Sequence, residues 1–257
     1  MPVSPVGSRF MAGVSAAWSG MRLALRSPEV RRAYVQMVGV LFVVAAALDV
    51  AGIWAVLHWT PIDGDTSWWA TIGLWVARIL GVAVVLLVAP LISLSVVNLV
   101  FPFLGERVFL ASMRVISPAR AEQLAGQPGL PLASGLVITV LRLLLFFGAS
   151  LLAFVVSLVP VVGQVAGPVL QGYLSARGLA WELLDPYLDA LGLGFAEQRA
   201  FVAAHRPALV GFGLPLAMLM AVPLVGPLLF GVAQGAVARL VIDVIEAPAA
   251  PHPAKVR

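Results

Sequence analysis

Four long apolar stretches dominate the chain, and short segments that carry most of the charges separate them. The first two stretches run over residues 33–59 and 68–100. Each is longer than the roughly 20 residues with which an α-helix crosses a hydrocarbon core about 30 Å thick. We therefore predict two long transmembrane helices. The other two stretches, residues 140–172 and 208–240, are also apolar, but proline and glycine interrupt them.

The two interrupted stretches are related by a repeat with an offset of 63 residues. Val-Pro-Val-Val-Gly at residues 159–163 corresponds to Val-Pro-Leu-Val-Gly at 222–226, and a Gln-Gly pair follows at the same distance in both. Upstream, Gly148 corresponds to Gly211. Each stretch is interpreted as a helical hairpin that turns at its Val-Pro sequence. The predicted tip residues are Pro160 and Gly163 in the first hairpin, and Pro223 and Gly226 in the second.

The length of the arms predicts how deeply the hairpins enter the bilayer. An arm of about 16 residues reaches roughly 24 Å at 1.5 Å per residue, which is less than a full crossing. Proline and glycine at the tip also free backbone groups, which only protein or water can satisfy. We expect both hairpins to enter partway and return, and a strained full crossing is the alternative.

Two further segments are predicted to lie along the membrane surface. Over residues 9–26, large apolar side chains recur on one side of a helix with arginines off it, which is typical of an interfacial helix. Residues 173–207 carry both signs of charge and favour short amphipathic helices on the cytoplasmic side. The Pro- and Ala-rich residues 246–257 are predicted to be a disordered tail. The fold class is thus an all-α membrane protein with one domain over residues 1–245.

The composition excludes most soluble functions. Hydrophobic residues make up 61% of the 257 residues and charged residues 11%, and the mean hydropathy is +1.02. Soluble domains carry about 25% charged residues. The absence of cysteine excludes disulfides and thiolate chemistry, and the three histidines form no metal-binding pair. We therefore predict no enzyme activity, no cofactor and no metal site.

The distribution of arginines predicts the orientation in the membrane. The loop between the first two spans has two acids, no Lys or Arg, and tryptophans at both ends. Positive residues favour the cytoplasmic side, so we predict a multi-pass protein of the cell inner (plasma) membrane with both termini cytoplasmic. The net charge of +4 is scattered, which does not indicate nucleic-acid binding. The arginines before the first span are Arg9, Arg22, Arg26, Arg31 and Arg32, and those after the second are Arg107, Arg114 and Arg120.

Charged residues inside the apolar stretches are candidates for function, because a charge at that depth requires a partner or water. Asp49 lies 10 residues before Trp59, and Arg78 lies 10 residues after Trp68. Antiparallel helices would place the two side chains at similar depth, as an intramembrane ion pair, as the lining of a permeation path, or without contact. Arg142 either extends to the cytoplasmic headgroups or contributes to an anion path.

Three segments, in their order and spacing, resemble the CysZ-like family, which includes the etoposide-induced membrane proteins. Ser-Pro-Glu-Val-Arg-Arg at 27–32 is similar to the family's Pro-Gly-Leu-Arg-Arg, and Pro-Phe-Leu-Gly-Glu-Arg-Val at 102–108 to its Pro-Phe…Glu-(Lys/Arg)-Val. The third segment is the tract that holds residues 158–163, 184–189, 195–199 and 211–213. The resemblance implies two membrane helices, two hemi-penetrating hairpins, a homo-oligomer, and sulfate permeation into the cytoplasm.

The resemblance also implies an anion site at Arg31 and Arg32, assisted by the helix N-terminus that starts there. The alternative is that the two arginines only anchor the span. Glu29 stands where the family has glycine, so a carboxylate lies beside the proposed site. Glu29 would repel an anion unless it pairs with Arg26 or Arg32 at helical spacing.

Two functions follow from the sequence. The first is a permease or channel for a small oxyanion, with sulfate as the best candidate. The second is a membrane scaffold that does not transport and that organises the bilayer or recruits a partner. The expected partners are the lipid bilayer, a small oxyanion and further copies of the same chain.

Overall fold

The computed structural model describes residues 6–61, 67–100, 102–222 and 225–247. These residues form eleven α-helices and one π-helical turn, and no strand. The fold is therefore all-α, as predicted. The helices are α1 (Val6–Arg26), α2 (Pro28–Trp59), α3 (Trp68–Val100), α4 (Pro102–Ile116), α5 (Pro118–Ala125), α6 (Leu132–Ser157), α7 (Val162–Leu183), α8 (Asp185–Ala190), α9 (Phe195–Ala204), α10 (Arg206–Met220) and α11 (Val225–Leu240), and the π-helical turn is Val241–Ile245.

Four helical segments are long and apolar enough to cross a membrane. They are Pro28–Trp59, Trp68–Leu86, Ala133–Ser157 and Leu228–Ile245. The first three bury little of their surface inside the protein, whereas the fourth is mostly buried. Apolar helices with exposed faces of this size are stable only against lipid. The chain is a multi-pass membrane protein.

The two hairpins differ in the length of their arms. In the first, the arms are α6 with 26 residues and α7 with 22, so the predicted bounds of 140–172 were too short at both ends. A helix of 26 residues is about 39 Å long, which is enough for a full crossing. In the second, α10 and α11 have 15 and 16 residues. The length argument for partial entry therefore holds for the second hairpin alone.

The tip of the first hairpin is a tight turn. Val161 has φ 65° and ψ −62°, and the N–H of Val162 donates to the carbonyl of Pro160 at 2.7 Å. This geometry is a γ-turn, which is strained for a β-branched residue. Gly163 then lies against the backbone of Ser157, and in the second hairpin Gly226 lies against the backbone of Met220. Of the four predicted tip residues, Pro223 lies outside the described residues.

The core forms where α1 crosses the second hairpin at backbone contact distance. A methyl group on Gly13 would collide with the carbonyl of Ala208, and one on Gly20 would lie 2.6 Å from the Cα of Ala236. A methyl group on Gly211 would collide in the same way with the carbonyl of Phe10. Residues 231–238 of α11 are all buried at the centre of this assembly.

The packed face of α1 differs from the face that its large apolar residues suggest. The buried residues are the small ones, with Met21 as the large exception. Trp18 and Leu25 are instead 53% and 54% exposed. Small residues let helix backbones approach closely, and van der Waals packing of this kind stabilises helix pairs in lipid. The buried set is Gly13, Ala16, Ala17, Gly20, Met21 and Ala24.

The repeat provides a matched test of this packing. We expect Gly211→Ala to lower the stability by about 1–3 kcal/mol, because its methyl group overpacks the contact with α1. Gly148 is the equivalent residue in the first hairpin and has open space around its Cβ position. Gly148→Ala is therefore expected to leave the stability unchanged or to raise it by up to about 1 kcal/mol through helix propensity. Thermal unfolding in detergent measures both, and equal effects would contradict the packing.

Candidate functional site

The first turn of α2 holds Arg31 and Arg32, the residues to which the sequence assigns an anion. Both side chains are exposed, and neither forms an ion pair within the described part of the chain. Glu29 is exposed as well and pairs with neither Arg26 nor Arg32 there. The pairing of Glu29 that the sequence allowed is therefore not formed, and the carboxylate stays beside the two arginines.

The same turn has the free donors of a helix N-terminus. Ser27 is the extended N-cap residue with φ −76° and ψ 123°, and its side chain makes no capping bond. Pro28 follows it as the first helical residue and has no N–H. The N-terminus of a helix carries roughly half a positive elementary charge, which adds to the field of nearby cations. The turn has three features that attract an anion: two arginines, uncapped backbone N–H groups and the positive end of the dipole.

Contacts with α11 hold this turn in place. Val30 is fully buried and packs near Gly235, and Tyr34 lies against Gly231. The Tyr34 hydroxyl donates to the carbonyl of Leu228 at 3.1 Å. Because α11 lies at the centre of the core, the start of α2 is fixed relative to it.

Asp49 and Arg78 do not form the predicted ion pair. The guanidinium of Arg78 donates instead to the carbonyl of Thr60, from Nη2 at 2.7 Å and from Nε at 3.0 Å, and it lies over the ring of Trp75. Thr60 is the C-cap residue of α2, so Arg78 satisfies a free carbonyl at a helix C-terminus. Asp49 is half-buried, and its Oδ1 has no hydrogen-bond partner in the structure.

The register of α2 against α3 explains this difference. Gly52 lies against Val85, and Gly81 lies against Val56. In this antiparallel register Arg78 is level with Trp59 at the end of α2, and Asp49 is about ten residues deeper. The sequence argument assumed that both helices begin at the same membrane surface. The start of α3 instead extends about 15 Å beyond the end of α2.

Arg142 in the first hairpin is buried and pairs with two half-exposed carboxylates. Its side chain is 7% exposed, and its Nη2 lies 2.7 Å from Oδ1 of Asp185. Its Nη1 lies 3.8 Å from Oε2 of Glu182, and Nη2 also donates to the Thr139 hydroxyl at 3.4 Å. Arg142, in the third turn of α6, thus joins this helix to the end of α7 and the start of α8. The sequence left two roles open for Arg142, contact with the cytoplasmic headgroups and a contribution to an anion path. Neither role includes Asp185 or Glu182 as a partner.

Burial raises the pKa of Asp185, which pairs with Arg142, and that of Glu106 on α4. Burial raises the pKa of Asp185 to about 6; the Arg142 guanidinium lowers it, and the charge of Glu182 raises it. Burial also raises the pKa of Glu106, with a further contribution from Asp189. Desolvation disfavours the charged form of a carboxyl group, so the pair depends on a group that titrates near neutral pH.

A second ion pair closes the bundle near the C-terminal end of the described chain. Nη2 of Arg120 lies 2.6 Å from Oε1 of Glu246, and the Tyr187 hydroxyl donates to the same oxygen at 2.8 Å. The sequence placed Glu246 at the start of the disordered tail, but these bonds hold it against α5 and α8. The tail from residue 248 onward lies outside the described residues.

Sequence reasoning missed Asp185 and Glu182 as partners of Arg142, and Glu246 as the partner of Arg120. Asp185 follows Arg142 by 43 residues, and Glu246 follows Arg120 by 126. The sequence feature that points to Asp185 and Glu182 is the mixed charge of residues 173–207, at the end of the second arm of the hairpin. A hairpin that returns the chain to its starting side brings that charge close to the start of the first arm.

Comparison with known proteins identifies a family. Residues 16–230 match the family described as Sulfate transporter CysZ/Etoposide-induced protein 2.4. No curated protein matches the sequence. The matched range covers α2 to α10, with the second half of α1 and the start of α11, and so contains Arg31, Arg32 and the Arg142 pair.

The Arg142 pair predicts a pH-dependent effect. Asp185→Asn is expected to raise the stability at pH 8 by about 1 kcal/mol, because the neutral amide avoids the desolvation cost of the carboxylate, and solvent screening of the half-exposed side chain limits the gain. At pH 5 wild-type Asp185 is mostly protonated, so the difference between the two proteins is expected to shrink. The folded-state pKa of Asp185 lies above the ordinary value of 3.8, so protonation of this group favours the folded state. The stability of the wild-type protein is therefore expected to rise as the pH falls from about 6 to about 4.

Thermal unfolding of both proteins at pH 8 and pH 5 measures this effect. Glu122→Gln is the control, since Glu122 is exposed and forms no ion pair in the described structure. If wild type and Asp185→Asn differ equally at both pH values, Asp185 does not titrate in this range and the account of the pair is wrong.

Proposed function

The chain belongs to the sulfate transporter CysZ/etoposide-induced protein 2.4 family, and we propose that it is a permease or channel for a small oxyanion. Sulfate is the ion, and uptake into the cytoplasm is the direction. We place the protein in the cell inner membrane as a homo-oligomer, with both termini and the arginine-rich segments in the cytoplasm. The positive-inside distribution of arginines supports this orientation.

The observation that carries the proposal is the free state of Arg31 and Arg32. Both guanidinium groups are exposed and unpaired in the described structure, at the N-terminus of a membrane-spanning helix. Charge-assisted hydrogen bonds from arginine suit the oxygens of a tetrahedral anion, and the helix N-terminus adds its own positive field. An arginine that only anchored a span would not require the fixed position that α11 gives this turn.

Glu29 weakens this site without reversing its charge. Arg26, Arg31 and Arg32 lie within six residues of one another and outnumber the single carboxylate. The local charge is therefore positive, while Glu29 repels a bound anion. A site of moderate affinity suits a permeation path, because an ion has to leave as readily as it enters.

Two other arginines inside the membrane segments, Arg78 and Arg142, are already engaged. Arg142 is engaged by Asp185 and Glu182, and Arg78 by the carbonyl of Thr60. Both guanidinium groups therefore stabilise contacts between helices. This assignment leaves the start of α2 as the anion site and gives Arg78 and Arg142 structural roles.

Uptake of labelled sulfate into proteoliposomes tests the function and its site together. Wild-type protein is expected to give uptake above empty liposomes, and Arg31→Gln/Arg32→Gln is expected to lower it by at least about tenfold through the loss of two charge-assisted hydrogen-bond donors. Arg199→Gln/Arg206→Gln removes the same charge from exposed positions on α9 and α10 that form no ion pair among the described residues, and it is expected to keep the uptake.

The outcomes separate the function from the site. Equal uptake by wild type and by Arg31→Gln/Arg32→Gln would keep the permease and reject the site. No uptake by wild-type protein that is shown to be folded and inserted would reject sulfate permeation. In that case the membrane scaffold would be the better description, and the exposed apolar side chains of α1 would be its membrane-binding surface.

A further inference from the structure

A groove runs between α1 and the second hairpin, on the face of α1 that does not pack. Its volume is about 1010 Å³. The walls combine three arginines, two serines and a row of large apolar side chains. The lining residues are Ser15, Trp18, Ser19, Met21, Arg22, Leu23, Leu25, Arg26, Leu219, Leu229 and Arg239.

The arginines collect at one end of the groove. Arg22 and Arg26 are exposed on the last two turns of α1 and form no ion pair in the described part of the chain. Arg239 lies near the end of α11, and its Nε is buried without a hydrogen-bond partner. Its Nη1 binds Asp243 at 3.1 Å, so one carboxylate offsets one of the three cations. The end of the groove has a net positive charge and free donors.

The helix register places these cations level with one another. Tyr34 lies against Gly231 and Val30 against Gly235, so α2 and α11 run antiparallel in contact. Continuing this register brings the α1–α2 junction, which holds Arg26, level with Arg239. The positive end of the groove therefore lies at the membrane surface where the second hairpin begins and ends.

The opposite end of the groove is apolar and points towards the hairpin tip. Leu219 lies in the last turn of α10, and Leu229 lies in the first two turns of α11. Leu229 precedes Arg239 by ten residues, which is about 15 Å along the helix. The groove thus changes from cationic to apolar over the depth of one membrane leaflet.

We propose that this groove binds an anionic phospholipid, with its phosphate on Arg22, Arg26 and Arg239 and an acyl chain along Leu219 and Leu229. The polarity of the groove matches that of the ligand: a charged group at the surface and a hydrocarbon chain directed into the bilayer. Ser15 and Ser19 on α1 line the same groove and add two hydroxyl groups to its wall. The bound lipid fills the space between α1 and the hairpin and so stabilises α1 in its packed position.

This site uses none of the residues of the first turn of α2, and it shares with the proposed sulfate site only the charge of Arg26. Lipid binding can therefore be tested whether or not the protein transports sulfate. The test is a titration of the purified protein in neutral detergent with phosphatidylglycerol, with bound lipid counted by native mass spectrometry. Phosphatidylcholine is the comparison lipid.

The arginine variants test the headgroup end. Arg22→Gln/Arg26→Gln is expected to weaken phosphatidylglycerol binding by about thirtyfold, from the loss of two juxtamembrane cations. Arg199→Gln/Arg206→Gln removes the same net charge outside the groove and is expected to change binding by less than about threefold. An equal loss in both variants would show that net charge alone attracts the lipid and would overturn the site.

A groove-filling variant tests the acyl end. Ser19→Trp places a large ring in the groove and keeps all three arginines, so it is expected to reduce phosphatidylglycerol binding as strongly as the arginine variant. Unchanged binding in Ser19→Trp would overturn the proposed path of the acyl chain. Glycerol phosphate, which has the headgroup chemistry without the chains, is expected to compete only weakly. Competition at the concentration of the lipid would assign the arginines to a free oxyanion and overturn the lipid proposal.

Discussion

Helices inside a bilayer gain little from burying apolar side chains against each other, since lipid is as apolar as the side chains themselves. Close backbone packing is what remains, and this fold depends on it where α1 meets the second hairpin. Gly13, Gly20 and Gly211 each occupy a position where a methyl group would overlap the neighbouring helix. Through these contacts α11 becomes the buried centre of the protein. The start of α2 then packs on α11 and takes a fixed position.

Burial also decides which arginines are free to bind a ligand. In a medium of low dielectric constant a cation needs a partner, and the deeper arginines have one. Arg142 is held by Asp185, Arg120 by Glu246, and Arg78 by a carbonyl at the end of α2. The arginines at the α1–α2 junction lie at the surface without a carboxylate partner in the described structure. The arginines without a carboxylate partner therefore give this junction its positive charge. Both proposed ligands, sulfate and the phosphate of a lipid, are anions.

The sequence predicts the all-α fold and its long apolar helices well, because hydrophobic periodicity and the length of an apolar run are local features. It fails where the answer depends on distant residues. The offset of Arg78 from Asp49 arises from the different starting heights of α2 and α3, which no local pattern encodes. The glycines of α1 look like weak points in an amphipathic helix, whereas in the fold Gly13 and Gly20 form the packed face. The partner of Arg142 is visible only once the first hairpin has closed.

The packing of α1 on α11 is the claim on which the rest depends, and the chain has no cysteine to complicate a direct test. The Cβ position of Gly20 lies 2.8 Å from Cβ of Ala236, and that of Gly235 lies 2.9 Å from Cβ of Ala24. Gly20→Cys/Ala236→Cys and Ala24→Cys/Gly235→Cys are expected to form disulfides in membranes under mild oxidation, since a small shift reaches disulfide geometry. Gly148→Cys/Ala236→Cys is expected to form none. Folded protein in which neither of the first two pairs cross-links would contradict the account.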